Sequence, residues 1–136
     1  MSNKAVIAST RKKMAELEAI MFDMEQVDIE PVHHFSSGIY AREIKIPAGV
    51  TLTGKIHRTE HLNILAKGKI TVVTDEGQKT IEAPYVMTCP PNTKRAGYAH
   101  TDCVWITIHG TDEKDIDKLE AELITTDYLS LEEVVK

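Results

Sequence analysis

The feature that most limits the fold is how the middle of the chain is cut up. Pro31, Gly38, Pro47-Ala48-Gly49, Gly54 and Gly68 punctuate its first half. Asp75-Glu76-Gly77, Pro84, Pro90-Pro91-Asn92 and Gly97 punctuate its second. Between these breaks lie short runs rich in β-branched and aromatic residues, among them Ile39–Ile46, Lys69–Thr74, Tyr85–Cys89 and Cys103–Ile108. Such runs read as strands, because a branched Cβ suits a pleated surface and the intervening glycines and prolines suit turns. Asp75-Glu76-Gly77 between two of the runs reads as a hairpin turn. Many short strands with regular turns exclude a βαβ fold and leave a sandwich or a barrel.

The two ends read differently. Over residues 9–24, Met14, Leu17, Met21 and Met24 recur at spacings of three and four, with Ser9 or Thr10 as cap. That spacing predicts an amphipathic helix packed on its own domain. The same stripe also fits a short seam between subunits. A second helix is expected over 111–124, capped by Thr111 or Asp112, with Ile116, Leu119 and Leu123 on its apolar face. The tail 128–135 reads as one more short helix. With 136 residues and no linker or internal repeat, the chain is expected to be one domain over 1–136.

Composition narrows the function. A net charge of −5 gives no general electrostatic reason to bind nucleic acid or an anionic membrane, and neither is expected as a partner. No apolar run approaches spanning length, and the first residues do not read as a signal peptide. Cys89 and Cys103 sit in strand-like runs and read as buried thiols, which fits a cytoplasmic setting.

The chemistry gathers in Lys55-Ile56-His57-Arg58-Thr59-Glu60-His61. Side chains alternate along a strand, so Lys55, His57, Thr59 and His61 are expected to face one way. Imidazoles aimed at one side of a sheet point to a site, for a metal or for an organic ligand.

From Gly49 to Gly68 the chain resembles the first motif of the cupin superfamily, small jelly-roll barrels. His57 matches that motif's second histidine. His61 stands in the glutamate position and Lys55 in the first-histidine position. Pro91-Asn92-Thr93-Lys94-Arg95-Ala96 follows the frame of the second motif, with Thr93 for its glycine and Ala96 for its histidine. His100 falls where that motif has asparagine. One usual metal ligand is thus kept, one is exchanged for another possible ligand, and two are lost. The resemblance covers residues 35–110. It implies an all-β, cupin-type jelly-roll β-barrel with flanking N- and C-terminal helices, and an oligomer, first of all a homodimer. Tyr40–Ile44, Lys94–Tyr98 and Trp105–His109 further resemble small cupin-like proteins of phages and prophages. That resemblance implies no established activity. It would place the protein in the host cytoplasm or in a virion, beside other virion proteins.

Three readings of the site stay open. In the first, Lys55, His57, His61, Tyr98 and His100 line a metal-free polar cup for a small anion or sugar, with Lys94 and Arg95 as surface charge near its rim. In the second, the barrel is an assembly scaffold whose polar cluster is a buried network. In the third, His57, His61 and His100 bind a divalent metal (Fe, Mn, Ni or Zn) in a dioxygenase, isomerase or lyase. Glu60 is then a further ligand if a bulge turns it inward, and Glu60 or Tyr98 serves as acid or base. The leading expectation is a non-enzymatic binding or assembly module, with the metalloenzyme as the alternative. His33 and His34 read as loop or edge, His109 as a cap on the turn after its strand, and Trp105 as a core or interface anchor.

Overall fold

The computed structural model describes residues 9, 11–17, 29–54, 56–74 and 77–125, the last two by backbone alone. Lys55, Asp75 and Glu76 lie outside the described residues, as do the expected helix beyond residue 17 and the tail after 125. The described strands, in chain order, are β1 (Val32–Ser36), β2 (Ile39–Ile46), β3 (Thr51–Thr53), β4 (Ile56–His57), β5 (His61–Lys67) and β6 (Lys69–Thr74). They continue as β7 (Gly77–Glu82), β8 (Tyr85–Cys89), β9 (Ala96–Ala99), β10 (Cys103–Gly110) and β11 (Ile124–Thr125).

These strands form two main antiparallel sheets, ordered β1-β2-β10-β5-β8 and β3-β9-β6-β7, and a small β11-β4 pair. The fold is a jelly roll, the architecture that the cupin resemblance implied where the short strands alone had left a sandwich or a barrel. Alternation explains which side chains meet inside. On β2, Tyr40, Ile44 and Ile46 are buried while Ile39 and Lys45 are exposed. Ile46, Leu65, Ile70, Val72, Ala99 and Cys103 form the main core between the sheets. Across β2 and β10 the register stacks inward residues in rungs: Tyr40 opposite His109, Arg42 opposite Thr107, Ile44 opposite Trp105.

Gly68 turns β5 into β6 at a φ of +95°, where an L side chain is strained. Any Cβ there would also collide with the Asp102 carbonyl oxygen and lie 2.7 Å from Cys103 Sγ. The β6–β7 register pairs Thr74 with Gly77, leaving two residues for the expected hairpin turn.

The later helix is shorter than its sequence suggests, running Ile116–Leu123 rather than from residue 111. Asp115 caps it, its carboxylate accepting from the Asp117 and Lys118 amides at 3.0 and 3.3 Å. Thr111 instead closes a turn, its hydroxyl accepting from the Glu113 amide. Leu119 and Leu123 pack on Tyr40 at one end of the barrel. Each such burial contributes about 1.5–3 kcal/mol.

At the other end of the chain, residues 11–17 are helical, with Met14 buried. Arg11, also buried, donates to the Asn92 carbonyl. No helix among the described residues is long and apolar enough to cross a membrane.

Candidate functional site: a three-histidine cluster in the barrel

His57 and His61 do not share a strand, as alternation alone had implied. The chain bends at 58–60, ending β4 and starting β5 afresh. Backbone hydrogen bonds hold the bend: the Arg58 amide donates to the Leu123 carbonyl at 2.7 Å, and the Asn92 amide donates to the His57 carbonyl at 2.8 Å. The two imidazoles nevertheless converge, with ring centroids 4.4 Å apart.

The third member is His109, from the inward face of β10. Its ring lies 4.8 Å from that of His57 and 4.9 Å from that of His61. One ligand nitrogen from each of the three lies within 4.8 Å of the others. His57 Nδ1 and His109 Nε2 are 3.0 Å apart. Nitrogens bound to one tetrahedral ion at ~2.0–2.1 Å stand ~3.3 Å apart, so this pair is already close to that geometry.

Protonation states favour ligation. Burial first, and then the neighbouring His61, His109, Arg95 and Arg42, push the His57 pKa down to about 3. Burial and His61 push His109 to about 4. Burial also lowers His61, against its hydrogen bond to the Thr59 carbonyl and with help from Arg95. All three are neutral at pH 7, the form in which imidazole binds metals.

Tautomers follow from the partners. A carbonyl only accepts, so His61 carries its proton on Nδ1, which donates to the Thr59 oxygen at 2.9 Å. That leaves the His61 Nε2 lone pair free, in the way backbone carbonyls orient metal-binding histidines. His109 Nδ1 is buried, with no hydrogen-bond partner among the described residues. Neither neutral tautomer of the His57–His109 pair satisfies it. Such an orphan costs about 1–3 kcal/mol. An ion on His109 Nε2 would make Nδ1 its protonated nitrogen, while all three imidazoles are neutral donors. The donor set therefore fits a borderline divalent metal.

A buried network steadies the cluster from the next rung. Asn63 Oδ1 accepts from Thr107 Oγ1 at 2.8 Å and from Trp105 Nε1 at 3.1 Å. Asn63 Nδ2 donates to Cys89 Sγ at 2.8 Å. Tyr40 stacks near His109 with centroids 6.5 Å apart, and its hydroxyl lies 2.6 Å from His33 Nδ1. Burial raises the Tyr40 pKa, with Arg42 opposing and Glu120 assisting, so the phenol keeps its proton.

The histidines line a cavity of about 190 Å³. Ile44, Leu52, Ile70, Val72 and Trp105 make its apolar wall, and Arg42, Arg95 and Glu120 also line it.

His57 and His61 of the expected residues thus stand in the site. Tyr98 and His100 stand apart from it: Tyr98 is 43% exposed, and His100 is exposed and bonded to Thr71 Oγ1 at 2.6 Å. Glu60 is exposed at the bend. Lys94, expected as surface charge, is buried, and its ammonium donates to the Gly54 carbonyl at 2.6 Å. His33 and His34 lie on the edge strand β1. His109 is not a turn cap, because β10 runs on to Gly110 and keeps it on the inward face. Its alternation with Thr107 and Trp105 is the sequence signal that could have found it.

No family model matches the chain, and no curated protein matches it. Solved structures do. The KdgF protein of Halomonas sp. is 15% identical, with a TM-score of 0.55 over 70% of this chain and 90% of that one. A cupin-superfamily protein from Desulfitobacterium hafniense is 11% identical, with a TM-score of 0.53 over 69% and 87%. The Cnp3 cupin domain of Schizosaccharomyces pombe is 14% identical, with a TM-score of 0.53 over 74% and 76%. At such identities the likeness shows the fold alone. The chain is a cupin-type jelly roll carrying three histidines that can hold a metal ion.

Proposed function

We propose that this protein binds one divalent transition metal through His57, His61 and His109, and that its cavity holds a small molecule beside that ion. The observation that carries the reading is the convergence of three neutral imidazoles from separate strands, each offering a nitrogen within 4.8 Å of the others. An all-nitrogen set suits Fe, Mn, Ni or Zn. Bound there, the ion would supply Lewis-acid polarisation of a ligand oxygen. The chain's own groups would do the rest: the Asn63 network fixes the β5 and β10 frame, the apolar wall excludes water, and the Tyr40 phenol holds a proton at the cavity lining.

A metal-free binding module is the second reading. It is favoured by the two guanidinium groups in the cavity lining, which would hold an anionic ligand with no ion present. A phage origin, implied by the resemblance of residues 94–98 and 105–109, is compatible with either. We further infer a homodimer, since Leu62 at 40% exposure and Val86 at 62% leave apolar surface on the outside of the five-stranded sheet.

Elemental analysis of protein purified without a histidine tag tests the main reading. About one ion per chain is expected, lost in His57→Ala and His109→Ala and kept in His100→Ala. Absence of metal after reconstitution with Fe, Mn, Ni and Zn in turn would reject it.

A further inference from the structure

The cavity holds more positive charge than a metal site needs. Arg42, on β2, faces inward one rung from Tyr40 and His109. Arg95, just before β9, lies with its guanidinium carbon 5.9 Å from the centre of the Trp105 ring. Both are half-buried and both line the cavity. Among the described residues neither makes a side-chain hydrogen bond or an ion pair. A half-buried guanidinium without a counter-ion is a site for an anion, and its planar fork suits a carboxylate best.

Charge and size narrow the class. Among the charged side chains of the lining, Arg42 and Arg95 are offset only by Glu120. Most of the remaining wall is apolar, including Ile44, Leu52, Ile70 and Val72. The ligand therefore has one charged end and an apolar body. A cavity of ~150 Å³ accepts benzene, so about 190 Å³ accommodates one such ring with a small polar group.

We infer that the cavity takes a small monocarboxylic acid with a body of about six carbons, its carboxylate held by Arg42 and Arg95 and its body against Trp105 and the aliphatic wall. This deepens the proposed function and rests on it in taking the cavity as the working site.

Trp105 is the chain's only tryptophan, so its fluorescence reports on the cavity directly. The experiment titrates benzoate, benzyl alcohol and inorganic phosphate into chelator-treated protein and into zinc-loaded protein. Calorimetry provides a second readout, since Arg95 substitutions also alter the tryptophan's surroundings. Benzoate is expected to bind at least about tenfold more tightly than benzyl alcohol. Arg42→Gln and Arg95→Gln are each expected to weaken benzoate by about tenfold or more and to close that gap, with Arg→Lys variants falling between. Circular dichroism confirms that each variant is folded. Benzoate binding no tighter than benzyl alcohol overturns the inference. So does unchanged affinity in both glutamine variants, or a preference for phosphate. The chelated arm separates the two readings. Arginine-dependent benzoate binding in a protein that takes up no metal rejects the metal site alone. Zinc uptake without arginine-dependent benzoate binding rejects this inference alone.

Discussion

His57 and His109 are held as neutral imidazoles, and this sets how the metal-free protein responds to acid. Unfolded imidazole titrates near 6.5, whereas the folded values are about 3 and about 4. Between those limits the unfolded chain binds protons that the folded chain refuses, so stability falls as pH drops below 6.5. Above 6.5 these two groups contribute no slope. The expected outcome is a lower denaturation midpoint at pH 5 than at pH 7, with a smaller difference in His57→Gln. An equal difference in that variant would mean that other groups set the acid response. Sequence showed only part of this cluster. His57 and His61 stand four positions apart and drew attention as a pair. His109 lies alone in an apolar strand and joins them only through the β2–β10–β5 rungs, which are long-range pairings that no local pattern reveals. His100 drew attention as the residue in the second motif's asparagine position, yet it lies exposed just past the end of β9, and Tyr98 on β9 is exposed too. Lys94 was read as solvated by its charge, yet it is buried with its ammonium on the Gly54 carbonyl.

Turns define the elements here, and Gly68 tests that claim. It reverses the chain between β5, which begins at His61, and β6, which lines the cavity through Ile70 and Val72. Gly68→Ala combines a left-handed backbone with a collision against the Asp102 carbonyl, which belongs to backbone and cannot swing aside. The expected loss is about 2 kcal/mol or more, measured by urea denaturation. Gly49→Ala shares the positive φ, at 84°, but meets nothing within 4 Å, so it should cost about 1 kcal/mol. Equal costs at the two positions would remove the steric part of the argument. Strand positions were legible because branched residues and turn residues alternate so regularly. The break after His57 was not, since Arg58-Thr59-Glu60 contains neither glycine nor proline. Hydrogen bonds from distant segments make it, through Leu123 and Asn92. The helix start was misplaced for a related reason. Thr111, Asp112 and Asp115 can all cap, and only Asp115 precedes a segment whose leucines reach the barrel.

At the scale of the molecule, the helix Ile116–Leu123 and the histidine site are mechanically joined. The Leu123 carbonyl accepts from the Arg58 amide between the two histidine-bearing strands. Ile124 pairs with His57 across β11 and β4. Leu119 and Leu123 pack beside Tyr40 and line the cavity. An ion that fixes His57 against His109 therefore also restrains β4, and through it β11 and the end of the helix. Binding to the folded state alone stabilises by mass action, and local opening of whatever the ion holds becomes rarer. β7, at the edge of the other sheet, gives no residue to the cavity lining. Metal loading is thus expected to slow amide hydrogen exchange in residues 116–125 and 56–61 while leaving 77–82 nearly unchanged. Leu119→Ala, which removes a side chain only 2% exposed, should lower stability by about 2–5 kcal/mol and weaken metal binding as well. Uniform slowing across all strands would point to global stabilisation without this coupling. Full metal affinity in a folded but destabilised Leu119→Ala protein would show that the helix closes the barrel without positioning the site.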